Sequence, residues 1–340
     1  MNRQELDAAL IEIGKPFADK RVNVFDVQVE EADGLLKLSG RVLQESNREA
    51  LLRGLRDRFP NAQMDAEEVQ VLRKAQPDYR MVATNLTSVH DGTSFIAEQV
   101  TQMVNGMQVE VLEEQKNWGF VRQMDGYLGW TYLPYLTASP ASHPATHLVI
   151  APVGLLHAAP DAASPLMTRV LGGTAVYAGG AQNDWMLVEL AGGQKGYLPV
   201  SDLRDFNRLP KVPAAIREQI VADGFKLIGV PYLWGGCTAH GIDCSGLAQL
   251  LHRWAGITLP RDADMQCDAG TPVEPPFQPG DLLFFGEAGE RRRITHVAIS
   301  LGGWRILHSS RSRMGVHVDD VQQVDHLRES FLCAATHIGK

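Results

Sequence analysis

The sequence predicts a multidomain α+β protein with a small α/β module, two small β-barrels and a C-terminal α+β domain, in that order. The chain has 340 residues, which at about 100 to 200 residues per domain corresponds to two to four domains. Short strand patterns fill the middle of the chain and occur there twice, whereas helical periodicity of apolar residues is found towards both ends. These observations set the order of the domains.

The composition excludes one class of partner. Hydrophobic residues make up 44% of the chain and charged residues 21%, as in ordinary globular proteins. The formal net charge is −8, and the densest basic run is the short Arg291-Arg292-Arg293. Nucleic-acid binding requires a concentrated basic face. We therefore expect no nucleic-acid partner.

The first twenty residues and the cysteines predict a cytoplasmic location. The stretch MNRQELDAALIEIGKPFADK alternates charged and apolar positions and lacks the continuous apolar run of a signal peptide or membrane span. None of the four cysteines forms a CxxC pair, and a reducing compartment would keep them as thiols. We expect no membrane partner.

Residues 1–76 read as helix, hairpin, helix and strand. Asp33-Gly34 is the predicted turn of the hairpin. Ser46 and Glu49 form a capping-box pattern that would open the second helix, whose apolar face is Leu51, Leu52 and Leu55. With its stretch Leu38-Ser39-Gly40-Arg41-Val42, this module resembles the small α/β units called BON domains.

A repeat lies between residues 77 and 207. Trp118 recurs as Trp185 and Gly129-Trp130 recurs as Gly196-Tyr197, both at an interval of 67 residues. Each copy has an alternating strand, a tight turn, a strand led by Trp and a closing Gly-aromatic step. This pattern predicts two barrels, over 77–138 and 146–207, joined by the linker 138–144. On the Trp and Gly-aromatic positions, both copies resemble bacterial SH3-like domains.

Helices return after Pro210, and the last domain is predicted over 211–340. Pro213 suits the first position of a helix with Ile216, Ile220 and Leu227 on one face. A second helix starts near Cys244, and its apolar face is Leu247, Leu250, Leu251 and Trp254. Asp243 is its predicted N-cap. Because the start of a helix favours negative charge, we expect the pKa of the Cys244 thiol to be lowered and its thiolate to act as a nucleophile.

The base for this nucleophile should come from elsewhere in the chain. Two predicted strands, 295–301 and 304–309, each carry one histidine, His296 and His308. A regular two-residue turn at Gly302-Gly303 would point the two rings to opposite faces of the sheet. We therefore predict a bulge or a three-residue loop, which would bring them to the same face.

Six stretches of this domain closely resemble the NlpC-type peptidases, papain-like enzymes that cleave peptidoglycan stem peptides. They are Pro-Tyr-Leu-Trp-Gly-Gly from 231, Gly-Ile-Asp-Cys-Ser-Gly from 241, Leu-Pro-Arg-Asp-Ala-Asp-Met-Gln from 259, Pro-Gly-Asp-Leu-Leu-Phe-Phe from 279, His-Val-Ala-Ile from 296 and Ile-Leu-His-Ser from 306. The resemblance implies a papain-like α+β fold and a Cys-His-His triad of Cys244, His296 and His308. It also implies that Tyr232 and the amide of Cys244 stabilise the oxyanion.

With tandem barrels before the peptidase domain, the chain is similar to a subgroup that cuts free murein peptides after γ-D-glutamate. There a glutamate and a tyrosine of the first barrel and the aspartate before the nucleophile hold the substrate's amino terminus. The matching residues here are Glu98, Tyr127 and Asp243. Carboxylates and a phenol favour an ammonium group and disfavour a blocked chain. Further pocket positions implied by the resemblance are Trp234, Ser245 and Asp262.

Other interpretations stay open beside these. Cys237, His240 and Cys244 could hold zinc, although their spacing matches no common zinc pattern. Cys267 and Cys333 are predicted to be inert core residues. Tyr127 and Trp130 could instead fill the first barrel. The remaining histidines considered, His240, His252 and His317, are predicted to lie on the surface.

The sequence thus predicts a cysteine peptidase that hydrolyses the γ-D-glutamyl-L-diamino acid bond of free murein peptides, with an unblocked N-terminal L-Ala and with diaminopimelate or lysine as diamino acid. It would act through an acyl-enzyme on Cys244 and need no cofactor or metal. The alternatives are a non-catalytic binder of wall peptides and an amidase or acyltransferase on the same fold.

Overall fold

The computed structural model of the protein describes residues 3–32, 34–138, 143–289 and 293–339. The predicted Asp33-Gly34 turn, the linker 138–144 and the basic run 291–293 each fall partly outside these ranges. Among the helices of the described ranges, none has both the length and the apolar character needed to cross a membrane.

The N-terminal module has the predicted order of elements. They are α1 (Arg3–Gly14), β1 (Phe25–Ala32), β2 (Leu35–Val42), α2 (Glu45–Arg58) and β3 (Gln63–Val71). Strands β1 and β2 are antiparallel, and β3 joins β2 in parallel. Leu51 and Leu55 of α2 are fully buried, as their spacing predicts, and the two helices pack over the sheet.

The predicted capping box at Ser46 and Glu49 is wrong. Helix α2 begins at Glu45, with Gln44 as N-cap in an extended conformation and with no side-chain hydrogen bond to the helix. Ser46 therefore lies inside the first turn, where its hydroxyl contacts the side chain of Gln44 at 3.1 Å.

Strands dominate the middle of the chain, as predicted. The first series is β4 (Asp78–Val82), β5 (Leu86–His90), β6 (Gln99–Val104), β7 (Gln108–Gln115), β8 (Trp118–Gln123), β9 (Leu128–Tyr132) and β10 (Leu136–Thr137). The second is β11 (His147–Val149), β12 (Val153–His157), β13 (Leu166–Leu171), β14 (Ala175–Gln182), β15 (Trp185–Glu189), β16 (Lys195–Pro199) and β17 (Leu203–Asp205). Trp118 and Trp185 each open a strand, so the repeat marks equivalent positions. Strands β11 to β17 form one sheet, in the order β13-β12-β16-β15-β14-β11-β17.

The C-terminal part is an α+β domain built on one antiparallel sheet. Its elements are α3 (Pro213–Phe225), β18 (Cys237–Thr238), β19 (Gly241–Ile242), α4 (Cys244–Trp254), α5 (Ala263–Ala269), β20 (Thr271–Pro272), β21 (Leu282–Glu287), β22 (Arg293–Gly302), β23 (Arg305–Ser310), β24 (Gly315–Asp320), α6 (Asp325–Ser330) and β25 (Phe331–Thr336). The sheet order is β20-β25-β21-β22-β23-β24. Pro213 is the first residue of α3, as predicted.

Helix α4 is the central helix of this domain. Its predicted apolar face, with Leu247, Leu251 and Trp254, is buried in one core with Ile299 of β22 and Leu307 of β23. Burying side chains of this size stabilises the fold by about 2 kcal/mol each. The helix is therefore fixed against the two strands that carry the predicted histidines.

The chain divides into two compact units. One comprises Met1–Tyr79 and Val109–Thr131, and the other Arg80–Gln108 and Tyr132–Lys340. In the first unit, Leu43 and Leu72 of the N-terminal module form a buried cluster with Leu112 and Leu128. In the second unit, Arg204 of β17 binds the fully buried Asp223 of α3 at 2.8 Å, which ties the sheet of β11–β17 to the C-terminal domain.

Candidate active site

Cys244 is the first residue of α4, where the predicted N-cap is present. The Oδ1 atom of Asp243 accepts a hydrogen bond from the amide of Gly246 at 2.7 Å. A Cβ atom at Gly246 would lie 2.2 Å from the carbonyl oxygen of Gly236. Only glycine therefore allows the Gly235-Gly236 loop to press against the first turn of the helix. This contact fixes the backbone that presents Cys244.

The sulfur of Cys244 lies against strand β22. The amides of Val297 and Ser245 both donate hydrogen bonds to it. Because Val297 directly follows His296, this contact brings the nucleophile to the residue adjacent to the predicted base.

The electrostatics of Cys244 differ from the prediction. Burial, together with the charge of Asp243, raises the pKa of its thiol to about 12, and the two amides offset only part of the rise. The expected lowering of the thiol pKa is therefore wrong for the unliganded protein. In this state the sulfur holds its proton at neutral pH and needs a neighbouring base to remove it.

The predicted irregularity between the two histidine strands is present. Ile299 pairs with Leu307, but Gly302 pairs with Arg305, and the register shifts between Ser300 and Gly302. Leu301 is the extra residue of a bulge, and the shift turns His296 and His308 to the same face of the sheet. Their rings meet with the Nε2 atom of His296 2.8 Å from the Nδ1 atom of His308.

Both rings are neutral in this environment. Burial lowers the pKa of His296 to about 3, assisted by the adjacent His308. Burial also lowers the pKa of His308 to about 4, although the charge of Asp319 and its hydrogen bond act in the opposite direction. A neutral His296 is able to accept the proton of Cys244.

Two further residues of β24 contact His308. His317 lies directly opposite His308 in the antiparallel pair, and Asp319 follows on the same face. The Nε2 atom of His308 is 3.1 Å from the Nε2 atom of His317 and 3.2 Å from the Oδ2 atom of Asp319. The predicted surface position of His317 is wrong, since its side chain is only 20% exposed and contacts this cluster.

These contacts set the tautomers of a hydrogen-bonded relay that runs from Asp319 through His308 to His296. A carboxylate only accepts hydrogen bonds, so His308 donates its Nε2–H to Asp319 and keeps a lone pair on Nδ1. That lone pair accepts the Nε2–H of His296. His296 is thereby left with a lone pair on Nδ1, the form that a base for Cys244 requires.

Tyr232, the predicted oxyanion donor, retains its proton. Burial raises the pKa of its phenol, and the charges of Cys244 and Asp243 raise it further. A protonated hydroxyl near Cys244 is able to donate a hydrogen bond to an oxyanion. The guanidinium of Arg311 lies over the Tyr232 ring at 5.7 Å and over the Trp234 ring at 5.1 Å.

Trp234 and Glu98, both predicted pocket residues, contact each other. The indole Nε1–H of Trp234 donates to the Oε1 atom of Glu98 at 2.7 Å. Trp234 is 52% exposed, and Glu98 is also exposed. The structure thus joins a first-barrel carboxylate to the Pro-Tyr-Leu-Trp-Gly-Gly stretch of the peptidase domain.

Asp243 and Ser245 are held in a buried ionic network. The Oδ2 atom of Asp243 binds Nη2 of Arg261 at 2.6 Å and the amide of Gly235 at 2.9 Å. The hydroxyl of Ser245 donates to Asp243 at 3.2 Å and accepts from Arg261 at 2.8 Å. Because Arg261 neutralises the carboxylate, these contacts support a structural role for both residues more directly than the predicted contact with substrate.

Two predicted site residues have a different setting. Asp262 precedes the first residue of α5 and makes no side-chain capping bond to it. Tyr127 belongs to the other compact unit, where its side chain is 5% exposed. Their substrate contacts stay predictions.

The zinc alternative at Cys237, His240 and Cys244 lacks the required geometry. Within the described ranges, the ligand atoms of these three residues do not gather within 4.8 Å of one another. The sulfur of Cys237 instead contacts the Thr101 hydroxyl at 3.4 Å.

The buried positions of two cysteines and one histidine bear on predictions from the sequence. Cys267 and Cys333 lie in the protein core, as predicted, with their sulfur atoms 3.3 Å apart. The predicted surface position of His252 is wrong. It is fully buried, and its Nδ1 atom is 2.8 Å from the carbonyl oxygen of Ala248.

Sequence reasoning also missed Arg261, Arg311 and Asp319. Arg261 stands within one of the motif stretches and could have been singled out there. Asp319 forms a His-x-Asp pattern with His317, which places both side chains on one face of a strand. We find no sequence signal that would have singled out Arg311.

Two parts of the chain match known protein families. Residues 229–334 match the NlpC/P60 family, and residues 89–131 match the bacterial dipeptidyl-peptidase Sh3 domain. A crystal structure of an NlpC/P60 family protein from Bacillus cereus superposes with a TM-score of 0.67 at 22% identity, over 77% of this chain and 100% of that one. At this identity the likeness shows the fold.

Two curated relatives carry the same name. The chain is 27% identical over 242 residues to the γ-D-glutamyl-L-lysine dipeptidyl-peptidase of Bacillus cereus, a match that covers 67% of this chain and 72% of that protein. It is 34% identical over 149 residues to the γ-D-glutamyl-L-lysine dipeptidyl-peptidase of Bacillus subtilis, and this match covers 42% of the chain and half of that protein. The protein described here therefore carries a C-terminal domain of the NlpC/P60 peptidase family, preceded by a bacterial SH3 domain.

Proposed function

We propose that the protein is a cysteine peptidase that hydrolyses the γ-D-glutamyl-L-diamino acid bond of free murein peptides whose N-terminal L-Ala is unblocked. The diamino acid is diaminopimelate or lysine, and the γ-D-glutamyl group is carried as a thioester on Cys244. Both relatives described above are named for cleavage at γ-D-glutamyl-L-lysine, which agrees with this bond.

One observation carries the proposal: the sulfur of Cys244 lies at strand β22 next to the residue that carries the proposed base, His296, and the ring of His296 is paired with that of His308. The amide of Val297 donates to the sulfur, and the preceding residue, His296, is 2.8 Å from His308 between Nε2 and Nδ1. A nucleophile, a base and a group that orients the base are the parts that covalent catalysis of acyl transfer needs.

The reaction follows from these protonation states. The Nδ1 atom of His296 removes the proton of Cys244 as the sulfur attacks the γ-carbonyl carbon of D-glutamate. The imidazolium then returns the proton to the departing amine of the diamino acid. Water, deprotonated by the same ring, hydrolyses the thioester and restores the thiol. Tyr232 and the amide of Cys244 stabilise the oxyanion in both steps.

Glu98 is the main support for recognition of a free amino terminus. Its exposed carboxylate is bound to the exposed indole of Trp234, and it is not neutralised by a cation in the contacts described above. Asp243 is already paired with the buried Arg261 at 2.6 Å. Glu98 therefore supplies the negative charge that an ammonium group would prefer, while Tyr127 is retained in the proposal on the family resemblance alone.

The test is hydrolysis of L-Ala-γ-D-Glu-diaminopimelate by the purified full chain, with products read by mass spectrometry. We expect one cut after γ-D-glutamate, and no turnover by Cys244→Ala. Cys333→Ala is the matched control and should keep activity, because the sulfur of Cys333 packs in the core against that of Cys267. Turnover by Cys244→Ala would exclude the proposed nucleophile.

A second substrate tests recognition of the amino terminus. The same peptide with an acetylated L-Ala should be cleaved at least tenfold more slowly, because the acetyl group removes the positive charge. Glu98→Gln should reduce that preference. Equal cleavage of both peptides by the unmodified chain would remove the role proposed for Glu98.

The proposal includes a cytoplasmic role in the recycling of murein peptides. Free stem peptides, rather than cross-linked wall, are the substrates it requires. Fractionation of cells that express the tagged chain, with a cytoplasmic marker as reference, tests the location.

A further inference from the structure

Three side-chain atoms beside the catalytic relay form a compact triangle. The Nε2 atom of His317 lies 2.9 Å from Oδ2 of Asp319 and 3.1 Å from Nε2 of His308, while Nε2 of His308 lies 3.2 Å from the same Oδ2. Strand pairing holds the triangle, because His308 and His317 are directly opposite and Asp319 is two residues further along the same face.

A neutral His317 cannot satisfy both of its polar contacts. Its Nδ1 atom lies 3.1 Å from the carbonyl oxygen of Gly315 and its Nε2 atom 2.9 Å from Oδ2 of Asp319, and both oxygens only accept hydrogen bonds. Because a neutral ring carries one proton, one of these contacts sets a lone pair against an acceptor. A metal ion bound to Nε2 and Oδ2, with the ring proton on Nδ1, removes that repulsion.

The triangle has the composition and size of a transition-metal site. Two imidazole nitrogens and one carboxylate oxygen are ligands that Zn²⁺ and similar ions accept. Tetrahedral bonds of about 2.0 to 2.1 Å separate ligand atoms by about 3.3 Å, so the three atoms need to move apart by only a few tenths of an ångström.

The surroundings orient the three ligands as in metal sites. The Gly315 carbonyl holds the second nitrogen of His317, and Nη2 of Arg313 binds the other oxygen of Asp319 at 3.2 Å. His308 is buried, while the side chains of His317 and Asp319 are 20% and 10% exposed. An ion would therefore enter from the His317 side.

We propose that His308, His317 and Asp319 bind one divalent transition-metal ion of the Zn²⁺ type, and that its binding silences the peptidase. Three coordinate bonds form, to the two Nε2 atoms and to Oδ2, and a proton carried by either Nε2 atom moves through solvent to Nδ1 of the same ring, so both rings stay neutral. No electron is transferred.

The silencing rests on the proposed function and follows from the tautomers. With a metal on Nε2, the one proton of a neutral His308 lies on Nδ1 and is donated to Nε2 of His296, whose own proton then moves to the other ring nitrogen. His296 then carries its own proton on Nδ1, the nitrogen that must accept the proton of Cys244. Metal binding thus reverses the direction of the relay and removes the base.

Binding is tested in the full-length Cys244→Ala protein, which lacks the competing thiolate. Titration with Co²⁺, followed by visible absorption, and with Zn²⁺, followed by calorimetry, should show one equivalent bound. Adding His317→Gln should weaken the affinity at least tenfold, about 1.4 kcal/mol. Adding His326→Gln, at an exposed histidine outside the triangle, should leave the affinity unchanged. Absence of saturable binding, or equal binding by the His317→Gln protein, would overturn the site.

Silencing is tested with Cys244 intact. Zn²⁺ should inhibit hydrolysis of L-Ala-γ-D-Glu-diaminopimelate, and a chelator should restore it. His317→Gln, compared with its own zinc-free rate, should need at least tenfold more Zn²⁺ for the same inhibition. Equal sensitivity would place the inhibitory ion at Cys244 instead and refute silencing through His308. Because the binding experiment needs no turnover, failure of the proposed function and failure of the metal site give different results.

Discussion

The guanidinium of Arg261 is buried against the carboxylate of Asp243, with Nη2 and Oδ2 2.6 Å apart and the two side chains 2% and 8% exposed. Arg261 also donates from Nε to the Thr101 hydroxyl at 2.8 Å and from Nη1 to the Ser245 hydroxyl at 2.8 Å. One buried cation thus ties the N-cap of the catalytic helix to strand β6. The start of α4 depends on this charge balance.

Replacing Arg261 by Met should destabilise the fold strongly. The change leaves the buried carboxylate of Asp243 without its counter-ion, and breaking a buried pair in this way costs about 3 to 5 kcal/mol. Urea denaturation of the second compact unit, followed by Trp fluorescence, measures the loss. Arg305→Met, at an exposed position on β23, is the matched control and should change stability by about 0.5 kcal/mol or less.

The double variant Arg261→Met/Asp243→Asn separates charge from packing. Asn still caps the helix, and it removes the unpaired negative charge. It should recover part of the lost stability. If the single Arg261→Met variant were as stable as the parent, the ion pair of Arg261 and Asp243 would not stabilise the start of helix α4.

Patterns along single elements could be predicted from the sequence. Cys244 at the start of α4 follows from the apolar spacing after it, and the bulge near Leu301 follows from the need to align His296 with His308. Asp319 could not be found in this way. Its meeting with His308 depends on the register of β23 and β24, which the turn at residues 311–314 sets, and on Met314 adopting a positive φ of 55° in that turn.

Buried polar residues account for most of the residues that the sequence-based predictions missed or placed wrongly. Arg261 and His252 are residue types that are seldom fully buried, and sequence pattern reserves the core for apolar side chains. Arg261 is buried because its partner, Asp243, lies 18 positions away and is buried too. His252 is buried because α4 is covered on more sides than its apolar stripe indicates. Such partners become visible only once the chain is folded.

The reactivity of Cys244 should follow a high thiol pKa. With that pKa at about 12, the thiolate fraction in the unliganded protein rises about tenfold per pH unit across the neutral range. We expect the rate of alkylation by iodoacetamide at Cys244 to increase steadily between about pH 6 and pH 9. Mass mapping of quenched samples gives the rate at this residue.

The chain unfolded in urea is the control for this measurement. Its cysteines should show the usual curve, which flattens above the ordinary thiol pKa of about 8.5. A plateau near neutral pH in the folded protein would contradict the neutral resting pair and would instead indicate an ion pair between Cys244 and His296.

Stability should fall as the pH is lowered from about 6.5 to about 4. Burial lowers the pKa of His252 in the folded protein to about 4, below its ordinary 6.5, so in this window the unfolded chain binds a proton that the folded chain does not. The contribution of His252 to the free energy of unfolding is fully present above pH 6.5, and it decreases by about 3 kcal/mol as the pH falls towards 4. His296 and His308 contribute in the same direction.

His252→Leu isolates the contribution of this residue. The variant should show a shallower loss of stability between these pH values, measured as urea midpoints at several pH values. His240→Gln removes an exposed histidine and should leave the slope unchanged. An identical slope for His252→Leu and the parent would mean that the ring is not held neutral in the folded state.

Asp319 should act on catalysis through the tautomer of His308. In Asp319→Asn the side-chain amide is able to donate to Nε2 of His308, which favours a proton on Nδ1 and places the relay in the wrong direction. We expect kcat to fall about tenfold to a hundredfold, within the range that a general base contributes, with little change in KM. Asp320→Asn, on the adjacent residue of the opposite face, is the control and should retain kcat.

A structural defect at Asp319 would lower activity as well, so the tautomer itself must be measured. The ¹⁵N chemical shifts of the imidazole rings report which nitrogen carries the proton. In the parent, His308 should carry it on Nε2 and His296 on the nitrogen facing His308; in Asp319→Asn the population with Nδ1–H on His308 should rise. If kcat fell while both tautomers stayed unchanged, Asp319 would be a packing residue, because a lost carboxylate acceptor acts on the base only through the position of these two protons.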